Sequence, residues 1–183
     1  GLRNLRDSLH DEVASGEIHI VEIDARSIMA LRSWPWPRRV YARAIDRLHR
    51  AGARMIAFDV DFSSRSTPVD DERLAAALAR AKGSVVLPTF RQPARSRDTA
   101  FVENLPIEPL RQRAFLGSVN VHADRDGQVR RYSWGTVTGG RVRPSIGALL
   151  AERSGRLEAD FTVDQSIRQE TIPRHSFIDV ING

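Results

Sequence analysis

Met55-Ile56-Ala57-Phe58-Asp59-Val60-Asp61-Phe62 decides the fold. Apolar residues fill its first half without a break, as in a strand buried on both faces, and carboxylates enter toward its end. Upstream, Ile18-His19-Ile20-Val21-Glu22-Ile23-Asp24 has the same character and also ends on a carboxylate. Between the two, Tyr41, Ala44, Ile45, Leu48 and Ala51 form one apolar stripe, and Arg43, Asp46, Arg47 and Arg50 lie opposite. That spacing predicts a helix of about four turns. Pro37 suits its first turn, where a missing N–H costs nothing, and Gly52 suits its C-terminal cap. Strand, helix and strand in this order imply parallel pairing with a right-handed crossover.

Further along, Asp70 and Asp71 open a second helix, where carboxylates favour the positive end of the dipole. Leu74, Ala75, Leu78 and Ala81 are its buried stripe, Gly83 ends it, and Ser84-Val85-Val86-Leu87-Pro88 is a third strand. The sequence 91–110 is rich in Pro, Arg, Ser and Asp and reads as a surface excursion. Residues 115–121 and 129–137 then read as an antiparallel hairpin turning at Asp126-Gly127. Gly139-Gly140 marks another turn, and residues 144–153 read as a third helix with Ile146, Leu149 and Leu150 buried. The fold class is α/β: a two- or three-layer mixed sheet, a parallel βαβαβ unit followed by an antiparallel hairpin and a third helix. Leu2, Leu5 and Leu9 predict a short amphipathic helix over residues 1–12.

Composition narrows the function classes. The 183 residues are 41% hydrophobic and 28% charged, which is globular and excludes a disordered tail. Cysteine is absent, which excludes disulfides and cysteine-ligated zinc or iron–sulfur sites. The net charge is +5, and every basic residue except Lys82 is arginine. These arginines are spread along the chain with no block of five, so charge alone does not mark a nucleic-acid partner. No apolar run reaches the roughly 20 residues that span a bilayer.

The carboxylates at the strand ends are the first candidate site. In a parallel sheet the C-terminal strand ends line the ligand crevice. Asp24 with Asp59 or Asp61 there would suit a divalent cation, and a metal-dependent hydrolase built on these three acids is the alternative function. The competing reading is loop capping or ion pairing with nearby arginines. Trp34-Pro35-Trp36-Pro37-Arg38 is the second candidate. Its rigid aromatics at a helix entrance either wall a pocket or latch the helix onto the sheet, and Arg38 offers a planar fork to an anion. Asp24, Trp36, Arg38 and Asp59 are the residues expected to share one ligand crevice. Asp124-Arg125-Asp126-Gly127 lacks the downstream acids of a calcium loop and reads as a turn. No two of the five histidines have metal-ligand spacing, and no phosphate loop or nucleophile elbow is present. No catalytic residue, metal or cofactor is expected.

The ordered series of these segments resembles the CHASE domain of the second class. The resemblance is carried by Ile18 to Asp24, Trp34-Pro35-Trp36-Pro37-Arg38 with Tyr41-Ala42, Ala51-Gly52-Ala53, and Ile56 to Phe62. It continues through Asp70-Asp71 with Leu74-Ala75, Gly117-Ser118-Val119-Asn120, Asp124 to Gly127 with Val129-Arg130-Arg131, and Pro144-Ser145. It covers most of residues 16–183. It implies a non-enzymatic input domain on the periplasmic or extracellular face of a bacterial cell membrane, tethered by membrane helices in a homodimeric receptor. The receptor's cytoplasmic output would be a cyclase, a kinase or a cyclic-di-GMP enzyme. The ending Ile172 to Val180 is most similar to members with cyclic-di-GMP outputs. The signal is an unknown small molecule or protein, and no nucleic acid is expected. On this reading residues 1–15 are a membrane-proximal helix and residues 16–183 one α/β sensory domain, excised and lacking its C-terminal strand.

Overall fold

The structure is a computed structural model that describes residues 12–93, 101–121, 124, 126–152, 160–162 and 166–183. The helix expected over residues 1–12 lies outside these, Glu12 apart. The chain divides into two compact units, Pro37–Thr162 and Gly1–Trp36 with Val163–Gly183.

The larger unit is an α/β layer. Strands β2 (Ile56–Ala57) and β5 (Phe115–Ser118) flank β3 (Val85–Pro93), both parallel to it, with Ile56 opposite Val85 and Phe115 opposite Val86. Helix α2 (Arg38–Arg50) precedes β2, and α3 (Pro68–Arg80) makes the crossover from β2 to β3. The short α4 (Glu108–Arg111) lies on the path to β5. The parallel unit expected to begin with residues 18–24 is not made as read. Among the described residues β1 (Ile20–Glu22) pairs with β10 (Arg174–Ser176) and not with β2. Only the β2-α3-β3 part of that unit forms, and β5 supplies the third parallel strand. Val85, Val86 and Leu87 are fully buried, as a central strand covered on both faces must be.

The second apolar stretch pairs for only two residues because its aromatics turn into the core. Phe58 and Phe62 meet Tyr41 edge-to-face, with ring centroids 5.4–6.2 Å apart. Such contacts add about 1 kcal/mol each beyond burial. Asp61 bends the chain there, accepting from the Ser63 amide at 2.8 Å and hydroxyl at 3.0 Å. Helix α2 closes on a glycine: Gly52 sits at φ +87°, its amide bonds His49 O, and the Ala53 amide bonds Leu48 O. This is the left-handed cap that the sequence position of Gly52 predicts. Thr67 caps α3 through its hydroxyl, with Pro68 in the first turn.

Further segments differ from expectation. The excursion after residue 90 is partly regular: Phe90 to Pro93 pair antiparallel with β4 (Phe101–Asn104). The Asp126-Gly127 turn forms, with Gly127 at φ +81° and its amide bonding Asp124 O at 2.8 Å. The strands on either side do not pair with each other, however, because β5 is taken by β3 and β6 (Arg131–Ser133) by β9 (Asp160–Thr162). The hairpin is instead β7 (Gly135–Thr138) with β8 (Arg141–Pro144), turning on Gly139-Gly140, both at positive φ. Two consecutive residues at φ > 0 are what a two-residue hairpin turn demands. Ser145 then caps α5 (Ile146–Leu150) by accepting from the Ala148 amide.

In the smaller unit β1 (Ile20–Glu22) pairs in parallel with β10 (Arg174–Ser176), and α6 (Phe177–Asn182) follows directly. Helix α1 (Ala25–Leu31) was not foreseen. Asp24, read as a strand-end acid, is its cap. His19 and His175 stack at 5.1 Å on this strand pair and share a hydrogen bond of 2.8 Å.

Candidate functional site

Helices α2 and α3 lie side by side, and their first turns are stapled by two acid–base pairs. Arg38 donates to Asp71 at 2.7 Å, with both side chains about nine-tenths buried. The same guanidinium donates to the carbonyls of Phe62 and Ser64 and lies 5.7 Å from the centre of the Phe62 ring. Asp71 also accepts from the Ser66 amide at 3.1 Å. Beside this pair, one guanidinium nitrogen of Arg39 donates to both carboxylate oxygens of buried Asp70, at 2.9 and 3.2 Å. Two adjacent acids at the start of α3 therefore do more than favour a helix dipole. They fix the α2–α3 packing.

Beyond the staple, the facing sides of the two helices bound an open groove of about 380 Å³. Arg39, Arg43, Arg47 and Arg50 contribute from α2, and Arg73 and Arg80 from α3. Ala42 and Ala76 leave it room, and among the described residues Asp46 is its one acidic lining residue. Arg80 forks onto Asp46 at 2.8 and 3.0 Å, and Arg50 donates to the Asp46 carbonyl at 3.0 Å. Arg43 and Arg73 are exposed. The sequence carried half of this signal, since the polar face of α2 was legible as Arg43, Asp46, Arg47 and Arg50. The α3 half was hidden because pairing of the two polar faces is a tertiary fact.

The residues picked out in the sequence fall in both units. Arg38 is engaged by Asp71 as described. Asp59, in the same unit, is exposed, and its charge adds to burial in raising the Tyr132 phenol above its ordinary range. Asp24 and Trp36 belong to the smaller unit. Asp24 accepts from the Ser27 amide at 2.8 Å and the Ser176 hydroxyl at 3.1 Å, and these bonds hold its carboxyl below the ordinary range. Ser27, fully buried, accepts in turn from the Ile178 amide at 3.0 Å, so one small network ties α1 to α6. Trp36 is 4% exposed and packs on Phe177 at 4.7 Å, while Trp34, edge-on to it at 5.2 Å, is 54% exposed.

Among the described residues no group of three or more histidine, aspartate or glutamate side chains is placed to hold a metal ion. Asp61 is turned to Ser63, and the pair Asp124 and Asp126 is held by Arg130 at 2.8 and 2.6 Å. Hydrogen bonds from Arg130 pull Asp126 down to about 2. Asn120 also has a framework role, accepting from the Arg91 amide and donating to the Arg91 carbonyl.

The family model of the CHASE2 domain matches residues 2–182, and the chain belongs to the CHASE2 domain family. CHASE2 domains are sensory modules, typically extracytoplasmic and associated with transmembrane receptors. Among the described residues no helix is long and apolar enough to cross a membrane. No curated protein and no solved structure matches the chain.

Proposed function

We propose that the chain is the extracytoplasmic input domain of a homodimeric bacterial transmembrane receptor. It binds a signal outside the cell membrane and regulates a cytoplasmic output module. Cyclic-di-GMP synthesis or hydrolysis is the output favoured by the resemblance of the stretch Ile172 to Val180. The observation that supports the reading most is the family match over nearly the whole chain, residues 2–182. The domain's part is conformational and not chemical: a ligand that prefers one packing of the domain shifts the population that the output module senses.

The test uses membranes carrying the intact receptor. Rates of cyclic-di-GMP synthesis and hydrolysis are compared with those of a receptor in which residues 1–183 are deleted. The reading predicts a severalfold change in one of the two rates. Equal rates with and without the domain contradict an input role.

A further inference from the structure

We propose that the groove between α2 and α3 is a binding site for phosphate groups presented several together, on one molecule or on one lipid surface. Among the described residues six guanidiniums line it, of which Arg39 is paired with Asp70 and Arg80 with Asp46. On α2 the arginines recur at steps of four, four and three residues, Arg39, Arg43, Arg47 and Arg50. At 1.5 Å of rise per residue they form a line of positive charge about 16 Å long. Arg73 and Arg80, two helical turns apart on α3, face that line. Arg39 and Arg80 serve the packing of the two helices, but like charges packed this closely also repel one another. An anion placed among them turns the repulsion into attraction.

Part of the charge is available. Arg39 and Arg80 are held by Asp70 and Asp46, but the Arg43 and Arg73 side chains are exposed and make no hydrogen bond or ion pair among the described residues. The alanines at positions 42 and 76 leave the space open that larger side chains would fill. A single small anion reaches only one or two of these guanidiniums. A chain of phosphates spans several, and each phosphate offers the acceptor oxygens that the planar guanidinium fork matches. Free oligophosphates and the phosphate headgroups of an anionic lipid surface share this chemistry. The assignment needs only the groove, so it stands or falls separately from the output proposed above.

The experiment titrates the chain with inorganic tripolyphosphate, with orthophosphate at matched ionic strength, and with vesicles of phosphatidylglycerol or of phosphatidylcholine. The variant is Arg43→Gln/Arg73→Gln, both exposed positions. The control is Arg65→Gln/Arg131→Gln, which removes the same charge outside the groove. Tripolyphosphate is expected to bind about tenfold or more tighter than orthophosphate, with affinity falling as salt rises. The groove variant is expected to lose about tenfold, and the control less than twofold. Binding to phosphatidylglycerol vesicles with the same variant dependence, and weak tripolyphosphate binding, assigns the phosphates to a lipid surface. The proposal is overturned if neither tripolyphosphate nor phosphatidylglycerol binds, if orthophosphate binds as tightly as tripolyphosphate with no vesicle binding, or if groove variant and control behave alike.

Discussion

Arg38 shows what burial does to a charged side chain. Taking a guanidinium and a carboxylate out of water costs more than their attraction returns unless the remaining donors and acceptors are also met. Here Asp71, the carbonyls of Phe62 and Ser64 and the Ser66 amide meet them. Arg38→Met leaves Asp71 buried without its partner, and the expected loss is about 3–5 kcal/mol in a denaturant titration. Arg38→Met/Asp71→Leu removes both charges and is expected to recover most of it; a double variant as unstable as the single one contradicts the pairing. Asp126 gives the pH counterpart. Its pKa is lowered to about 2 by Arg130, below the unfolded value near 3.9. A depressed folded pKa means that its stabilisation is present above about pH 4 and disappears as pH falls toward 2. Asp24 acts in the same direction through Ser27 and Ser176. Asp126→Asn is expected to flatten part of the acid limb of the stability profile and to leave its shape above pH 5 unchanged.

At the scale of elements, backbone approach sets the limits. A Cβ on Gly135 would lie 2.5 Å from the Arg143 carbonyl oxygen, so β7 and β8 pair only because that position is bare. Gly135→Ala must push the strands apart, and a cost of about 1–3 kcal/mol is expected in thermal or chemical melts. At Gly140 a Cβ meets nothing within 4 Å, but φ is +67°. Gly140→Ala is therefore expected to cost only about 1 kcal/mol, the penalty for the left-handed region. Equal effects at the two positions contradict the close approach. The helices were the most legible elements, since the stripes of α2 and α3 and their stops at Gly52 and Gly83 follow from local spacing. Strand partners were not. Residues 115–121 and 129–137 look like a hairpin because a good turn joins them, but pairing is decided by which neighbour is already in place, and β3 and β9 win. Helix α1 was missed because Asp24 was read with the strand before it and not as the cap of the helix after it.

Over the whole molecule, the residues that carry the family resemblance turn out to be largely framework. Arg38 meets Asp71, Asn120 grips the Arg91 backbone, Arg130 holds Asp124 and Asp126, and Ser145 caps α5. A sequence signature built from such residues identifies the fold well and points poorly to a ligand. That is why the family was legible while the groove was not: its arginines look like ordinary solvated helix faces until α2 and α3 are packed together. Arg38 looked like an anion fork for the same reason. Sequence shows a charge and its spacing, and only packing shows which side of the helix meets solvent.

An extracytoplasmic input domain must face the outside of the cell membrane. The chain has no cysteine, so a single Arg65→Cys substitution at an exposed position gives one thiol within it. Intact cells producing the full receptor are treated with a membrane-impermeant maleimide, with the unsubstituted receptor as background. The Arg65→Cys receptor is expected to be labelled in unbroken cells to the same extent as after lysis. Labelling that appears only after lysis would contradict it.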